Sequence, residues 1–390
     1  MEAYIIKAYR SAIGKANRGG FKNFRTDDLG VAVLQHLMRQ VPEVSPELID
    51  DVIVGCAYPE GEQAGQIARQ ISSRALGISV PGVTINRYCA SGLEAIAMAV
   101  GKIRSGMGQC FIAGGVESMS LIPGAGWRFA PSYELTKDHP EYMAGMGLTA
   151  EAVAKKHGIS RDQADEFSYQ SHQKAGKAID EGKFAGEIVP IEVPDVRVVN
   201  DERFTSSYVV DTDEGVRRDT SMEVLAKLPP VFARGGIVTA GNSSQTSDGA
   251  AFHLIVSEDL VKSLNLKPIA RLVTSAVGGV EPLYMGMGPC VAIPKALKQA
   301  DMKLQDIEQI ELNEAFGAQA LAVIQEAGLD PKLVNPNGGA VALGHPLGCT
   351  GAILSLKLLN EMKRRNQKYG MVTACVGGGQ GIAGIFESLN

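Results

Sequence analysis

The chain has 390 residues, 45% hydrophobic and 21% charged, which excludes a small stapled scaffold and leads us to expect two or three packed domains. Its net charge of -5 supplies no basic field for nucleic acid or an anionic membrane surface. No apolar run approaches the ~18 residues of a membrane span, Met1 to Arg10 lacks a signal-peptide core, and Glu387 to Asn390 is no peroxisomal address, so a cytoplasmic protein is expected.

Along the chain, the first readable unit is Ile49 to Cys56, a turn entering a strand. A short β-rich run, Gly82 to Asn86, leads to Cys89, which opens a small-residue helix with its regular part from Leu93 to Ile103. Ile112-Ala113-Gly114-Gly115-Val116 then reads as a glycine-rich strand end. From 121 to 250 the texture changes. Pro123, Gly124, Trp127, Pro131 and Pro140 precede a charged helix-like stretch from Thr149 to Glu181 and an acidic, β-like segment near 190 to 215. The first pattern then returns: Ile307 to Glu314 as a turn and strand, Cys349 opening a small-residue helix, and Thr373 to Gly378 as a strand end. One α/β unit is used twice. The expected organisation is a first half over 1–120, an inserted loop domain over 121–250 whose end returns to that half, and a second half over 251–390.

The candidate chemistry lies in the repeated units. Cys89 sits between a strand and a helix N-terminus, where the dipole and free N–H groups pull a thiol from ~8.5 toward neutrality; a buried packing cysteine fits the same local pattern. His345 lies in Gly344-His345-Pro346-Leu347-Gly348, whose proline holds it extended, as suits either a general base or a structural histidine. Cys375 enters Val376-Gly377-Gly378-Gly379-Gln380-Gly381, a run of unobstructed N–H groups that makes an oxyanion hole, a phosphate loop or a plain tight turn. It lacks the Lys-Ser/Thr ending of a nucleotide loop, and no Gly-x-Gly-x-x-Gly follows an early strand. Asn313, at the end of the repeated strand, can hold a water or carbonyl, or cap a helix. Histidines 36, 139, 157, 172 and 253 read as surface or structural residues. Cysteines 56, 89, 110, 290, 349 and 375 have neither metal spacing nor disulfide density, so free thiols and no metal are expected.

Six motifs occur in order: Asn86-Arg87-Tyr88-Cys89-Ala90-Ser91-Gly92, Gly114 to Met119, Thr239 to Ser244, Asn313-Glu314-Ala315-Phe316, Gly344 to Gly348 and Cys375 to Gly381. Together they resemble the thiolase family over essentially the whole chain. The resemblance implies an α/β thiolase fold: two pseudo-symmetric halves with five-stranded mixed sheets and sandwiched helices, plus an inserted loop domain. It implies that Cys89 is acylated, that His345 activates it, that Cys375 is the acid and base, that Asn313 holds a water, and that Gly377 donates its N–H to an oxyanion. For coenzyme A as co-substrate, with no permanently bound cofactor, it places Arg217 beside the adenine and Ala240 and Ser244 along the pantetheine arm. Met146, Phe232, Met285, Ala315 and Phe316 fall around the reactive end. Pro229 stands where members commonly carry arginine.

The implied reaction is thiolytic cleavage of 3-ketoacyl-CoA to acetyl-CoA and a shortened acyl-CoA in fatty-acid β-oxidation. Gly145 supports that choice over acetoacetyl-CoA synthesis, because short-chain members carry a histidine directly before the methionine of Met146-Gly147-Leu148-Thr149-Ala150-Glu151. The alternatives are a biosynthetic acetoacetyl-CoA thiolase and a non-catalytic CoA- or lipid-binding module. The related condensing synthases that take acyl carrier protein typically use two histidines, and Cys375 separates this chain from them. A homodimer or homotetramer, with an enoyl-CoA hydratase/3-hydroxyacyl-CoA dehydrogenase partner, is the expected assembly.

Overall fold

The structure, a computed structural model, describes residues 1–389. In chain order the first half contains β1 (Ala3–Arg10), β2 (Gly14–Lys15), α1 (Thr26–Arg39), β3 (Asp51–Gly55), α2 (Ile67–Leu76), β4 (Gly82–Ile85), α3 (Ser91–Arg104) and β5 (Cys110–Glu117). Next come α4 (Tyr133–Asp138), α5 (Met146–His157), α6 (Arg161–Asp180), the ribbon β6 (Ile191–Val199) and β7 (Glu202–Val210), and α7 (Met222–Ala226). The remainder comprises β8 (Ser247–Ser257), α8 (Glu258–Ser263), β9 (Ala270–Gly279), α9 (Pro289–Ala300), β10 (Gln309–Leu312), α10 (Gly317–Glu326), α11 (Ala340–Leu343), α12 (Leu347–Arg365), β11 (Tyr369–Val376) and β12 (Gln380–Ser388).

The duplication is visible in the strand order. The first half reads β4-β3-β5-β8-β1 and the second β10-β11-β12-β9, with β1 and β9 meeting through the single pair Ile5 and Ala270. In each half the strands toward the edge of the sheet are parallel, β3 with β4 and β5, β10 with β11, and those toward its middle are antiparallel. β5, β8 and β10 are buried at every residue, as befits strands covered on both faces. α12 is buried along most of its length, Lys357 and Glu361 included, as befits a helix sandwiched between layers.

The second half departs from its twin in one detail. Where the first sheet has β4, the second has only the parallel bridge Ile310–Val334. Asn335 follows at φ 45°, out of the extended region, and Pro336 has no N–H, so the strand ends there. The Asn335 side-chain amide makes the next rung instead: its Oδ1 accepts from Leu312 N at 2.9 Å and its Nδ2 donates to Leu312 O at 2.8 Å.

The insertion is helical with one β ribbon, but the expected single helical stretch from Thr149 to Glu181 is broken. Gly158 caps α5 at φ 66°, and Ser160 with Gln163 forms a capping box that restarts the chain as α6. Both roots of the ribbon are tied to β1 by Arg10, which is wholly buried. Its Nε donates to Glu187 at 2.8 Å, and its Nη1 and Nη2 donate to Asp213 at 2.6 and 2.8 Å. Among the described residues no helix is long and apolar enough to cross a membrane, and no group of His, Cys, Asp and Glu is placed to hold a metal ion.

Candidate active site

Cys89 follows a sharp elbow. Tyr88 takes φ 44°, a left-handed value uncommon outside glycine, and the turn is locked by Asn86 Oδ1 accepting from Tyr88 N and by Ser91 Oγ, which accepts from Arg87 N and donates to Tyr88 O. The sulfur is buried, and the N–H groups of Gly377 and of Cys89 itself point at it. Those donors favour a thiolate, yet burial outweighs them and pushes the thiol up to about 12. This corrects the expectation of a near-neutral thiol: helix position alone does not activate Cys89, and a proton acceptor is required.

His345 supplies one. Gly344 has φ 117°, and a side chain there would start 2.3 Å from Ser247 Oγ, so only glycine lets the loop bring His345 in. The His345 N–H then bonds Gln245 O at 3.0 Å and Ser247 Oγ at 3.1 Å. The ring is buried, which lowers its pKa to about 4 and keeps it neutral near pH 7. Nδ1 lies 2.6 Å from Thr350 Oγ1, and Nε2 lies 3.3 Å from Asn313 Nδ2. Asn313 Oδ1 is buried with no protein partner among the described residues, available to a solvent molecule.

The two halves are held in contact through α12, which follows His345. The Cys89 turn packs on α12, and α3 crosses α12 through glycines: a side chain on Gly92 would start 2.6 Å from Ala352 N, and one on Gly351 2.4 Å from Leu93 N. Glu117, fully buried at the end of β5, accepts from Ala57 N at 2.7 Å, Gln63 Nε2 at 2.9 Å and Gly348 N at 2.8 Å, the last on α12. It ties the His345 segment to the first half.

Cys375 ends β11 in an apolar cluster with Ala150, Val238, Met285, Ala315 and Phe316. Burial raises its thiol pKa, and the neighbouring Cys89 raises it further, so the two sulfurs disfavour charge on each other. The glycine run after it turns away at Gly378 and Gly379, with φ 79° and 83°. Tyr88 and Met146 stand 3.6 and 3.8 Å from where a side chain on Gly377 would begin.

A groove of about 710 Å³ leads away from this centre, lined by Arg217, Phe232, Ala240 and Ser244 together with Lys15, Arg18, Gln245 and Thr246. Phe232 meets Phe316 edge-on at 6.2 Å, and Thr246 bridges to His345, so the groove opens onto the catalytic candidates. Arg218 turns aside to Asp180, with both bonds at 2.8 Å, leaving Arg217 in the groove. Burial first, then Arg217 and Lys15, lower His172 to about 4.

Of the residues expected at the site, Gly377 lies against Cys89 with Met146 beside it, Asn313 against His345, Cys375 with Met285, Ala315 and Phe316 in the apolar cluster, and Arg217, Phe232, Ala240 and Ser244 along the groove. Sequence reasoning missed Thr350, Ser247, Lys15, Arg18 and Asn335. Glu117 was quoted in a motif without a role.

Residues 3–259 match the thiolase N-terminal domain and residues 266–388 the thiolase C-terminal domain. The chain belongs to the thiolase family. Among thiolase relatives, the 3-ketoacyl-CoA thiolase of Bacillus subtilis is 49% identical over 388 residues, covering 99% of each chain. The peroxisomal 3-ketoacyl-CoA thiolase A of Mus musculus is 44% identical over 391 residues, covering 99% of this thiolase and 91% of that protein. The crystal structure of the Bacillus anthracis acetyl-CoA acetyltransferase superposes with a TM-score of 0.90 at 39% identity, covering 100% of this thiolase and 99% of that chain.

Proposed function

We propose that this chain is a degradative 3-ketoacyl-CoA thiolase. The observation that carries the reading is the placement of a buried thiol under two N–H donors, Cys89 and Gly377, in a site that also holds the neutral His345 and the second thiol Cys375. The names of the relatives support the same substrate class.

His345 Nε2 takes the Cys89 proton, and the sulfur attacks the 3-keto carbon. The bond between C2 and C3 then breaks, leaving an acyl thioester on Cys89 and the enolate of acetyl-CoA. The enolate oxygen is met by the protonated Nε2 and by a water on Asn313, and Cys375 delivers its proton to C2. In the second half, the incoming CoA thiol returns a proton to Cys375 and attacks the acyl-Cys89 carbonyl. That oxyanion sits between the Cys89 and Gly377 N–H groups, and its collapse expels Cys89, which recovers its proton from His345. Losing one such donor typically costs about 100- to 1000-fold in rate. The groove with Arg217, Ala240, Ser244 and Phe232 takes the CoA, with Met146, Met285, Ala315 and Phe316 around its reactive end.

Acetoacetyl-CoA synthesis is the second reading, favoured by the structural likeness to an acetyl-CoA acetyltransferase. Gly145 speaks against it: nothing lies within 4 Å of where its side chain would begin, so the wall a histidine would build is open. Mixing the enzyme with a medium-chain 3-ketoacyl-CoA without free CoA should give an acyl adduct on Cys89 by mass spectrometry, absent in Cys89→Ser. No adduct in the unaltered enzyme would reject the mechanism, and a sharp four-carbon optimum in a chain-length series would replace the pathway.

A further inference from the structure

A histidine serves as base only through the ring nitrogen that lacks a proton, and which nitrogen that is depends on what faces the other one. His345 is buried, so bulk water does not set its tautomer. Among the described residues, two groups lie within hydrogen-bond distance of the ring nitrogens: Thr350 Oγ1 at Nδ1, 2.6 Å, and Asn313 Nδ2 at Nε2, 3.3 Å.

Thr350 has a single proton to give. Its Oγ1 lies 3.1 Å from Pro346 O, one helical turn back on α12, and a carbonyl can only accept. With the hydroxyl proton on Pro346 O, Oγ1 offers Nδ1 only lone pairs, so Nδ1 carries the hydrogen. Nε2 is then unprotonated and accepts from Asn313 Nδ2. All three contacts are satisfied at once. The reverse arrangement would place the threonine proton on Nδ1, leave the Pro346 contact unmade, and oppose the Nε2 hydrogen to the amide hydrogens of Asn313.

We propose that Thr350 is a positioning residue that fixes His345 as the Nδ1–H tautomer and so makes Nε2 the base toward Cys89. No covalent change is involved: the Nδ1 proton stays on the ring, shared with Thr350, while Nε2 accepts and returns the thiol proton. Because Cys89 is held as a thiol by burial, the step depends wholly on that lone pair. The inference rests on the base role given to His345 under the proposed function.

The test reads the tautomer directly, by nitrogen-15 chemical shifts of the histidine rings in the full-length enzyme near pH 7, with the His345 signals assigned by difference from His345→Asn. The unaltered enzyme and Thr350→Ser should show a protonated Nδ1 and a bare Nε2. Thr350→Val, equal in size and without a hydroxyl, should move the ring toward the Nε2–H form. A catalytic histidine in the wrong tautomer loses ~10⁴ in rate in the serine-protease triad, so Cys89 acylation in Thr350→Val should fall by at least about 100-fold, with serine restoring it to within a few-fold. An Nε2–H tautomer in the unaltered enzyme, or acylation in Thr350→Val within threefold of normal, would overturn the inference. Should the valine variant not fold, the spectra of the unaltered and serine forms still decide it. Failure of the unaltered enzyme to form any acyl adduct would instead sink the proposed function and leave the tautomer result standing.

Discussion

Gly92→Ala tests the idea that the seam between the halves, rather than any contact with substrate, sets the catalytic geometry. The new Cβ would lie 2.6 Å from Ala352 N, 3.1 Å from Ala352 Cβ and 3.2 Å from Cys349 O, against ordinary contacts of 3.4 Å or more, and the first of these is backbone. The clash is relieved only if α3 and α12 part by roughly 1 Å, an overpacking that costs about 1–3 kcal/mol of stability. α3 begins just after Cys89 and α12 just after His345, so parting them separates nucleophile and base. A misplacement of about 1 Å can cost ~10²-fold in rate. The expected result is a fall of about 100-fold in kcat for thiolysis with the KM for CoA little changed, alongside a urea midpoint lowered in proportion to the lost stability. Gly101→Ala is the control: it lies on the same helix with nothing within 4 Å of its added Cβ, and should gain roughly 0.5–1 kcal/mol with unaltered kcat. A Gly92→Ala enzyme with a lowered midpoint but kcat within threefold of normal would refute the reasoning.

Arg10→Leu should lower stability by about 3–5 kcal/mol in urea melts, since it strands Glu187 and Asp213 as buried carboxylates without their cation. Stability should also fall as pH drops below about 6.5. His345 and His172 are lowered to about 4 and His253 to about 3, from an unfolded value of 6.5, so these three bind protons in the unfolded chain, half filled at pH 6.5 and nearly full a unit below, while they stay neutral in the fold. Glu311, raised by burial to about 7, takes up nearly one in the fold, so between pH 6.5 and 5.5 the net averages about 1.3 protons, or ~1.8 kcal/mol over that unit. Denaturant melts at pH 6.5 and 5.5 that agree within 1 kcal/mol would contradict this. Iodoacetamide should label Cys89 at a rate still climbing about tenfold per unit through pH 9, because a thiol held at about 12 is ionised in roughly one molecule in 10⁵ at pH 7. A plateau below pH 8 would mean that His345 already holds the proton in the resting enzyme.

The duplication was legible because it left marks at fixed spacing. Ile49 to Cys56 and Ile307 to Glu314 contain β3 and β10, and the expected Leu93 to Ile103 helix lies within α3. The split between α5 and α6 was also written in the chain, as Gly158 followed by the Ser160 and Gln163 cap, but the run of charged residues masked it. What could not be read locally came from distant partners. The helix start beside Cys89 argues for an ionised sulfur, and burial under elements of the second half, α12 and β11, reverses that balance. Thr350 is one more small residue on an apolar helix until the fold sets its hydroxyl against the His345 ring. Arg217 and Arg218 were indistinguishable by type, and Asp180 on α6 separates them.

The rung that Asn335 adds beside Leu312 has a consequence for how this fold can change. Main-chain pairing in a sheet is indifferent to which residue sits at a position, so it survives substitution and yields only to insertion, deletion or proline. At Asn335 the pairing is carried by a side chain, and a single codon can delete it. The affected peptide immediately precedes Asn313, and the same amide also holds Glu314 at 2.8 Å. In this one place, the architecture of the sheet is as open to point mutation as the chemistry beside it.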